Sequence, residues 1–357
     1  MNEEAASNAL LLIPYNPALR SAQTCCNLRS KLLLLSFPER IAPRCLIMQL
    51  QLFFVLVVTA SASPLHLHDG RSRMFRPFRP PGHGGSDAPP RWIIELEALP
   101  QYKLLDNLAK KPNASVDDAL EEFTALAAAA KTSDVKAPLG VFPWNTWQSL
   151  IEIAMRTVPE KQTKMVEFVI QLEKKRMDDA ETGEQMRHEG ELLWTGLPAL
   201  GYTVADAWQE FDPKDPKATH YQHDRWENMI ALLAQLSAAS RANYTSSEVT
   251  DVDFSPLATH AFHQAFEESS PTDPIIRTAC MWLIYAPTRL WANIQHKRVF
   301  NPNHNELVLT MEMWNIWAEG LRKAKQSCRP ETCPLVMSAI AKMEIAQGES
   351  HVEGAQP

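Results

Sequence analysis

Apolar side chains recur every three or four positions through most of the chain after residue 91, and this spacing predicts a series of amphipathic helices. The pattern is clear just before Pro159, where Trp144, Trp147, Ile151 and Met155 lie on one helical face and the proline closes the segment. The same periodicity predicts helices within residues 115–130, 143–159, 160–177, 225–240, 255–268, 273–295, 305–326 and 334–347.

The positions of helix-breaking residues and the absence of a strand-like pattern together predict the fold class. Pro287 is expected to break the 273–295 segment near Ala286, because a proline inside a helix lacks the amide hydrogen and clashes with the preceding turn. Gly320 is expected to weaken its helix by about 1 kcal/mol relative to alanine. No segment alternates apolar and polar residues with a period of two, so a sheet is not expected. The sequence predicts an all-α fold, an irregular multi-helix bundle in a single globular domain.

The helical domain is expected to span residues 92–347. It follows a leader, residues 1–91, and precedes a short disordered tail, residues 348–357. The connection 196–216 is expected to be the main irregular region, with a short helix from Val204 to Phe211.

Charge is distributed unevenly along the chain. Residues 1–91 hold 10 Lys and Arg against 5 Asp and Glu, whereas the remainder holds 25 against 37, so the domain has a net charge of −12. An acidic domain argues against a nucleic-acid partner, because phosphate binding needs a positive face. A protein partner is compatible with these charges, and the sequence predicts no oligomeric state.

The leader contains an apolar segment, residues 46–63, that bears on the compartment. Its apolar part ends at Ala60 and is shorter than the ~20 residues that a membrane-spanning helix needs, so stable membrane insertion is not expected. The segment resembles the hydrophobic region of a signal peptide followed by an Ala60-x-Ala62 cleavage pattern, but it begins 45 residues after the first methionine. A cytoplasmic location is therefore predicted, with secretion through this segment as the alternative. The linker that follows, residues 74–91, is rich in proline, glycine and arginine and is expected to be solvated.

The chemical state of the cysteines and of the glycosylation sequons also depends on the compartment. Cys328 and Cys333 could form a disulfide in an oxidising compartment, but three domain cysteines make no disulfide framework, so free thiols are favoured. Cys280, in an apolar helix, is expected to be an inert buried thiol. The sequons that begin at Asn113 and Asn243 would accept glycans if the chain were secreted.

Several sequence segments, taken in their order along the chain, resemble those of a known family. They are PWNTW before a helix, ELLWTGLPALGY, RWENMIALLAQL, and FSPLATHAFHQAFEE ahead of ACMWLIYAPTRLW. Together they resemble the fungal domain-of-unknown-function family 3632 from about Ile94 to Ala346. The resemblance implies an all-helical domain of unassigned activity, usually without a secretory leader, and it carries over no catalytic or binding residues.

The most specific chemical pattern occurs twice, as His-x-x-His-x-x-x-Glu. On a helix, residues i, i+3 and i+7 lie on one face, so each trio could converge on one metal ion. The competing interpretation, a solvent-facing stripe of an amphipathic helix, is favoured because short motifs match often by chance. The candidate metal ligands are His220, His223, Glu227, His260, His263 and Glu267.

Ten tryptophans form the other notable group, with Trp282, Trp291, Trp314 and Trp317 close together in the C-terminal part of the chain. Their helical spacing favours a place in the core over a ligand pocket. No G-x-S-x-G or H-E-x-x-H motif occurs, and no cofactor is expected. The preferred hypothesis is a non-enzymatic protein-interaction or scaffolding module, and the alternative is a metal-binding protein or enzyme that uses the paired His/Glu stripes.

Overall fold

The computed structural model describes residues 90–179, 182–244, 252–269, 271–300 and 307–353, with side chains described as far as residue 348. These residues belong to one compact unit, and they form twelve α-helices with only two short strand pairs. The predicted all-α class is therefore confirmed. The leader as far as residue 89, with its apolar segment 46–63, lies outside the described residues.

The helices are α1 (Arg91–Ala98), α2 (Pro100–Lys110), α3 (Val116–Ala129), α4 (Phe142–Met155), α5 (Thr163–Leu172), α6 (Leu200–Gln209), α7 (His220–Ala239), α8 (Ser255–Phe262), α9 (Asp273–Tyr285), α10 (Pro287–Gln295), α11 (Met311–Ser327) and α12 (Cys333–Glu353). A 3-10 turn (Pro159–Lys161) precedes α5, and a π-helix (His263–Glu267) continues α8. The antiparallel pairs are β1 (Arg187–His188) with β2 (Glu191–Leu192), and β3 (Val299–Phe300) with β4 (Leu307–Val308).

Helix α7 is the central element of the bundle. It packs against α4 and α5 on the N-terminal side and against α9 and α10 on the C-terminal side. A capping box at its start fixes where it begins: the Thr219 hydroxyl accepts from the Gln222 amide, and the Gln222 side chain accepts from the Thr219 amide. Half of its residues are buried, which explains why its apolar residues surround the helix instead of forming one stripe.

Two aromatic clusters fill the core on either side of α7. In the N-terminal half, Phe123 contacts Phe168 edge-on at 5.4 Å and Trp194 at 5.0 Å between ring centroids. In the C-terminal half, Trp317 lies 4.2 Å from Phe262 and 6.2 Å from Trp314. Because crossing helices leave irregular gaps, large rings supply much of the buried apolar area here.

Helix boundaries follow the predicted breakers in some places and depart from them in others. Helix α9 ends at Tyr285 and α10 begins at Pro287, as expected for a proline that ends the preceding helix. Helix α6 begins at Leu200, four residues before the expected start. The last helix runs to Glu353, beyond the expected end of the domain at residue 347, because the single glycine there weakens a helix without ending it.

Candidate functional site

The six candidate metal ligands lie on two neighbouring helical segments. His220, His223 and Glu227 are on α7, whereas His260 is on α8. The chain changes from α to π geometry at His263, so the second trio does not keep the α-helical spacing that placed its members on one face.

Glu227 is engaged by an arginine and is not part of a solvent-facing stripe. It is buried, and its two carboxylate oxygens accept hydrogen bonds from Nε and Nη2 of Arg277 at 2.6 and 2.7 Å. Arg277 lies on α9 and also donates to the backbone carbonyl of Glu331 at 3.1 Å. Burial raises the pKa of Glu227, and the guanidinium opposes that rise. The carboxylate thus joins two helices, and the expectation of a solvated stripe is wrong at this position.

His263 and Glu267 pair with each other. Nδ1 of His263 lies 3.1 Å from Oε2 of Glu267, and both side chains are about one-third exposed, at 35% and 33%. The hydrogen bond to this carboxylate raises the pKa of His263. This local pair lies at the surface of the π-helix.

His223 and His260 flank one aromatic cluster from two sides. The imidazole of His223 packs edge-on against Phe211 at 5.3 Å, and that of His260 packs edge-on against Trp208 at 6.0 Å. Trp226 lies between them, 5.3 Å from Phe211 and 5.0 Å from Trp208. Burial lowers the pKa of both histidines, which favours neutral imidazoles that pack as aromatic rings.

The six side chains therefore do not converge. Aromatic rings separate His223 from His260, Glu227 is held by an arginine, and His220 is exposed at the first turn of α7. Among the described residues, no group of three or more His, Cys, Asp or Glu side chains is close enough to hold a metal ion.

The C-terminal tryptophans are core residues. Trp282, Trp314 and Trp317 are fully buried, and Trp291 is only 8% exposed. Trp291 packs against Trp314 at 5.1 Å, so the rings fill the space between α10 and α11.

A second buried acid is also matched by guanidinium groups. Glu152 on α4 is 3% exposed and accepts from Arg225 at 2.7 and 3.1 Å and from Arg156 at 2.7 Å. Arg156 extends the network to Glu97 on α1 at 2.6 Å. Such fully paired carboxylates hold helices together and lack the free lone pairs that acid–base catalysis needs.

A strained loop joins the β1–β2 hairpin to α6. Trp194, Leu197 and Ala199 have positive φ angles of 66°, 39° and 69°, a conformation that costs a non-glycine residue about 1–2 kcal/mol. Burial of Trp194 and Leu197 supports this conformation, and the Trp147 indole donates to the Pro198 carbonyl at 2.7 Å. The strain therefore fixes the start of α6 against α4 and needs no ligand to explain it.

Two surface cavities were not expected from the sequence. The smaller, about 320 Å³, lies beside Arg289, whose Nε donates to the carbonyl of Ser237 at 2.9 Å and whose Nη2 donates to that of Ser240. Arg289 thereby satisfies carbonyls at the C-terminal end of α7 and stabilises its dipole.

The larger cavity is a groove of about 530 Å³ between the π-helix and α11. Phe266 forms one wall, and α11 forms the other with Ile316 and Gly320. Charged side chains from Glu312, Glu319 and Lys323 also line it. The one sequence signal for this groove is the glycine inside an otherwise strong helix.

The domain cysteines correct one expectation. Cys328 and Cys333 form a disulfide, with Cα atoms 5.4 Å apart, so the prediction of free thiols is wrong. The turn between α11 and α12 brings the two cysteines together, a contact that depends on where those helices end. Cys280 is buried, and burial raises its thiol pKa to about 12, as an unreactive cysteine requires.

The fold and these sites define an all-helical protein in which arginines pair with the buried carboxylates of Glu152 and Glu227, and a groove between the π-helix and α11 opens to the surface. Residues 147–321 match the family model described as "Protein of unknown function (DUF3632)", which confirms the resemblance to this family. No curated protein and no solved structure matches the chain. Within the described part of the chain, none of the helices combines the length and the apolar character needed to cross a membrane.

Proposed function

We propose that this domain is a non-enzymatic protein-interaction module that binds an amphipathic helix of a partner protein in the groove between the π-helix and α11. One observation carries the proposal: a continuous face of α11 lines the groove, and the exposed Ile316 lies on this face. The lining residues begin at Glu312 and end at Lys323, at spacings of three and four. At a rise of 1.5 Å per residue this face is roughly 16 Å long, or about three helical turns.

The chemistry of the groove suits a helical ligand with an apolar anchor. Ile316 is 38% exposed, and the ring of Phe266, which lies against Gly320, forms the facing wall. Helix-in-groove recognition packs one or two large apolar side chains of the partner against such exposed apolar residues. Glu312 and Glu319 outnumber Lys323 along the groove, so a partner helix with basic residues beside its apolar anchor would be favoured.

The alternative, a metal protein or enzyme that uses the His/Glu stripes, has less support. It required His220, His223, His260 and His263 to point inward and meet, whereas two of them pack against aromatic rings and one pairs with Glu267.

The disulfide changes the preference between the two predicted compartments. A cytoplasmic location and secretion through residues 46–63 were both compatible with the sequence. The disulfide favours secretion, because cytosolic thiols are kept reduced.

The test places a photo-reactive amino acid at position 316 of the full chain and, as a matched control, at the similarly exposed Ile345 on α12, which is 51% exposed. Cross-linking in extract is expected to give a discrete adduct from position 316 only, and peptide mapping should place the adduct in a predicted amphipathic helix with basic residues.

The Ile316→Lys variant is expected to abolish capture of the cross-linked partner, whereas Ile345→Lys is expected to retain it, with equal helicity and melting temperature. Equal capture by both variants would contradict the proposal. An adduct formed with a second copy of this chain would show that the groove mediates self-association and does not bind a helix of a partner protein.

A further inference from the structure

The turn between α2 and α3 exposes one asparagine to solvent, and a lysine on α5 holds the backbone of this turn in place. The ammonium group of Lys164 donates to the carbonyls of Lys111, Pro112 and Ala114 at 3.0, 2.6 and 2.8 Å. These contacts hold the turn against α5. Asn113 lies at its tip and is exposed, so a large group on its side chain would extend into solvent without displacing packed residues.

Asn113 is also the first residue of an Asn-Ala-Ser sequon, the acceptor pattern for N-linked oligosaccharides. The third residue, Ser115, is the N-cap of α3, and its hydroxyl accepts from the Asp118 amide at 3.4 Å. The sequon is therefore placed where the chain enters a helix, and glycosylation at the tip leaves this cap intact.

The disulfide supplies an independent observation. Cys328 and Cys333 lie far from Asn113 in sequence, and their bond requires an oxidant that removes two electrons and two protons from the paired thiols. Oxidised thiol–disulfide oxidoreductases of the secretory pathway supply that step, whereas the cytosol opposes it. The compartment that forms the disulfide is thus the compartment in which sequons are glycosylated.

The second sequon, which begins at Asn243, lies in a more constrained position. The carbonyl of Asn243 accepts from Arg298 at 2.7 Å, and the next residue, Tyr244, stacks on His296 with ring centroids 4.1 Å apart. Asn243 is also exposed, but it adjoins this packed group, whereas Asn113 lies at the tip of a turn, so Asn113 is preferred as the acceptor.

We infer that the chain enters an oxidising secretory compartment through the apolar segment 46–63 and carries an N-linked oligosaccharide on Asn113. In the transfer, the side-chain nitrogen of Asn113 bonds to the anomeric carbon of a polyprenyl-diphosphate-linked oligosaccharide. The amide loses one proton, and the polyprenyl diphosphate leaves with the electrons of the broken C–O bond. This inference is independent of the groove on α11 and of any partner.

The experiment expresses the full chain with its own residues 1–357 in a eukaryotic host and treats it with an amidase that cleaves N-linked glycans. A gel shift is expected, and the enzyme should leave an aspartate at position 113 that peptide mass spectrometry detects. Alkylation without reductant should label Cys280 but not Cys328 or Cys333 after denaturation, and the N-terminal peptide should begin near Ser63.

Two substitutions at one position separate glycosylation from folding. Ser115→Asp destroys the sequon but keeps a good helix cap, so it should lose the mass of one glycan without a change in helicity. Ser115→Thr keeps both the sequon and the cap and should retain that glycan. A chain with no amidase-sensitive shift, or one with Cys328 and Cys333 alkylated before reduction, would overturn the inference. A glycan found on Asn243 alone would overturn the assignment to Asn113.

Discussion

Gly320 on α11 provides a sensitive test of the packing around the groove. Replacing it with alanine adds one methyl group, which is expected to destabilise the protein, whereas the same change in most helices is stabilising. A glycine inside a helix is normally less stable than alanine by about 1 kcal/mol, so Gly→Ala should stabilise. At this position, however, the added Cβ would lie 2.6 Å from Cγ and Cδ1 of Phe266 and 2.7 Å from its Cβ. These atoms are the Cβ and the part of the ring nearest the backbone, so they cannot move away without shifting the π-helix.

The magnitude follows from two opposing effects. Overpacking a fitted site costs about 1–3 kcal/mol, and three contacts this short place Gly320→Ala near the upper end. Subtracting the helix-propensity gain of about 1 kcal/mol leaves a net destabilisation of about 2 kcal/mol. A matched control is Gly201→Ala on α6, where no heavy atom lies within 4 Å of the added Cβ. Gly201 is the second residue of α6, outside the helix interior for which the full effect of about 1 kcal/mol applies, so that control should be neutral or stabilising by a few tenths of a kcal/mol.

Denaturant unfolding of the full chain, followed by tryptophan fluorescence and far-ultraviolet circular dichroism, measures both changes. The double variant Gly320→Ala/Phe266→Ala removes two of the three close atoms, so its loss of stability should be smaller than the sum of the single losses, by at least about 0.5 kcal/mol. Stabilisation by Gly320→Ala, or strict additivity in the double variant, would refute the close approach of Phe266 to α11 and with it the shape of the groove.

Three further predictions concern buried polar groups. Arg277→Met should destabilise the protein by about 3 kcal/mol, because it leaves the carboxylate of Glu227 buried without its guanidinium partner. Adding Glu227→Leu should recover most of that loss of stability, as measured by denaturant unfolding. No recovery would contradict the pairing. Burial lowers the pKa of His260 below 6.5, so the unfolded chain binds more protons and stability should fall as the pH drops below about 6.5. His260→Gln should weaken that pH dependence in unfolding titrations, and an unchanged pH dependence in this variant would contradict the prediction. Cys280, with a thiol pKa raised to about 12, should react with a thiol reagent only after denaturation; rapid labelling of the native protein would contradict its burial.

Much of the fold could be predicted from local patterns. Apolar periodicity placed a helix within each of the eight segments expected to contain one, and Pro287 marked a break because its effect on the backbone is local. Boundaries were harder to predict. Asn145 is of a residue type that often caps helices, yet α4 begins at Phe142, with proline in its first turn. The helix starts earlier because the amide of Asn145 donates a hydrogen bond to the carbonyl of Val141 at 3.0 Å, so Asn145 is already inside the helix.

The disulfide and the groove could not be predicted for a different reason. Cysteine spacing alone does not say whether two helices end close enough for Cys328 and Cys333 to meet, and composition favoured free thiols. The groove needs a π-helix to carry Phe266 onto Gly320, and a five-residue change of helical geometry leaves no periodic signal in the sequence.

The His/Glu stripes show what a spacing argument lacks. Positions i, i+3 and i+7 do share a helical face, but the neighbouring element decides what that face contacts. Arg277 on α9 meets Glu227, whereas the aromatic residue Phe211 meets His223. A metal site needs several carboxylates and imidazoles whose lone pairs converge on one point, and these side chains do not. The informative sequence signal is therefore on the facing helix: an arginine there supplies the positive charge that a cation would otherwise provide, and it turns a candidate ligand into a helix–helix contact.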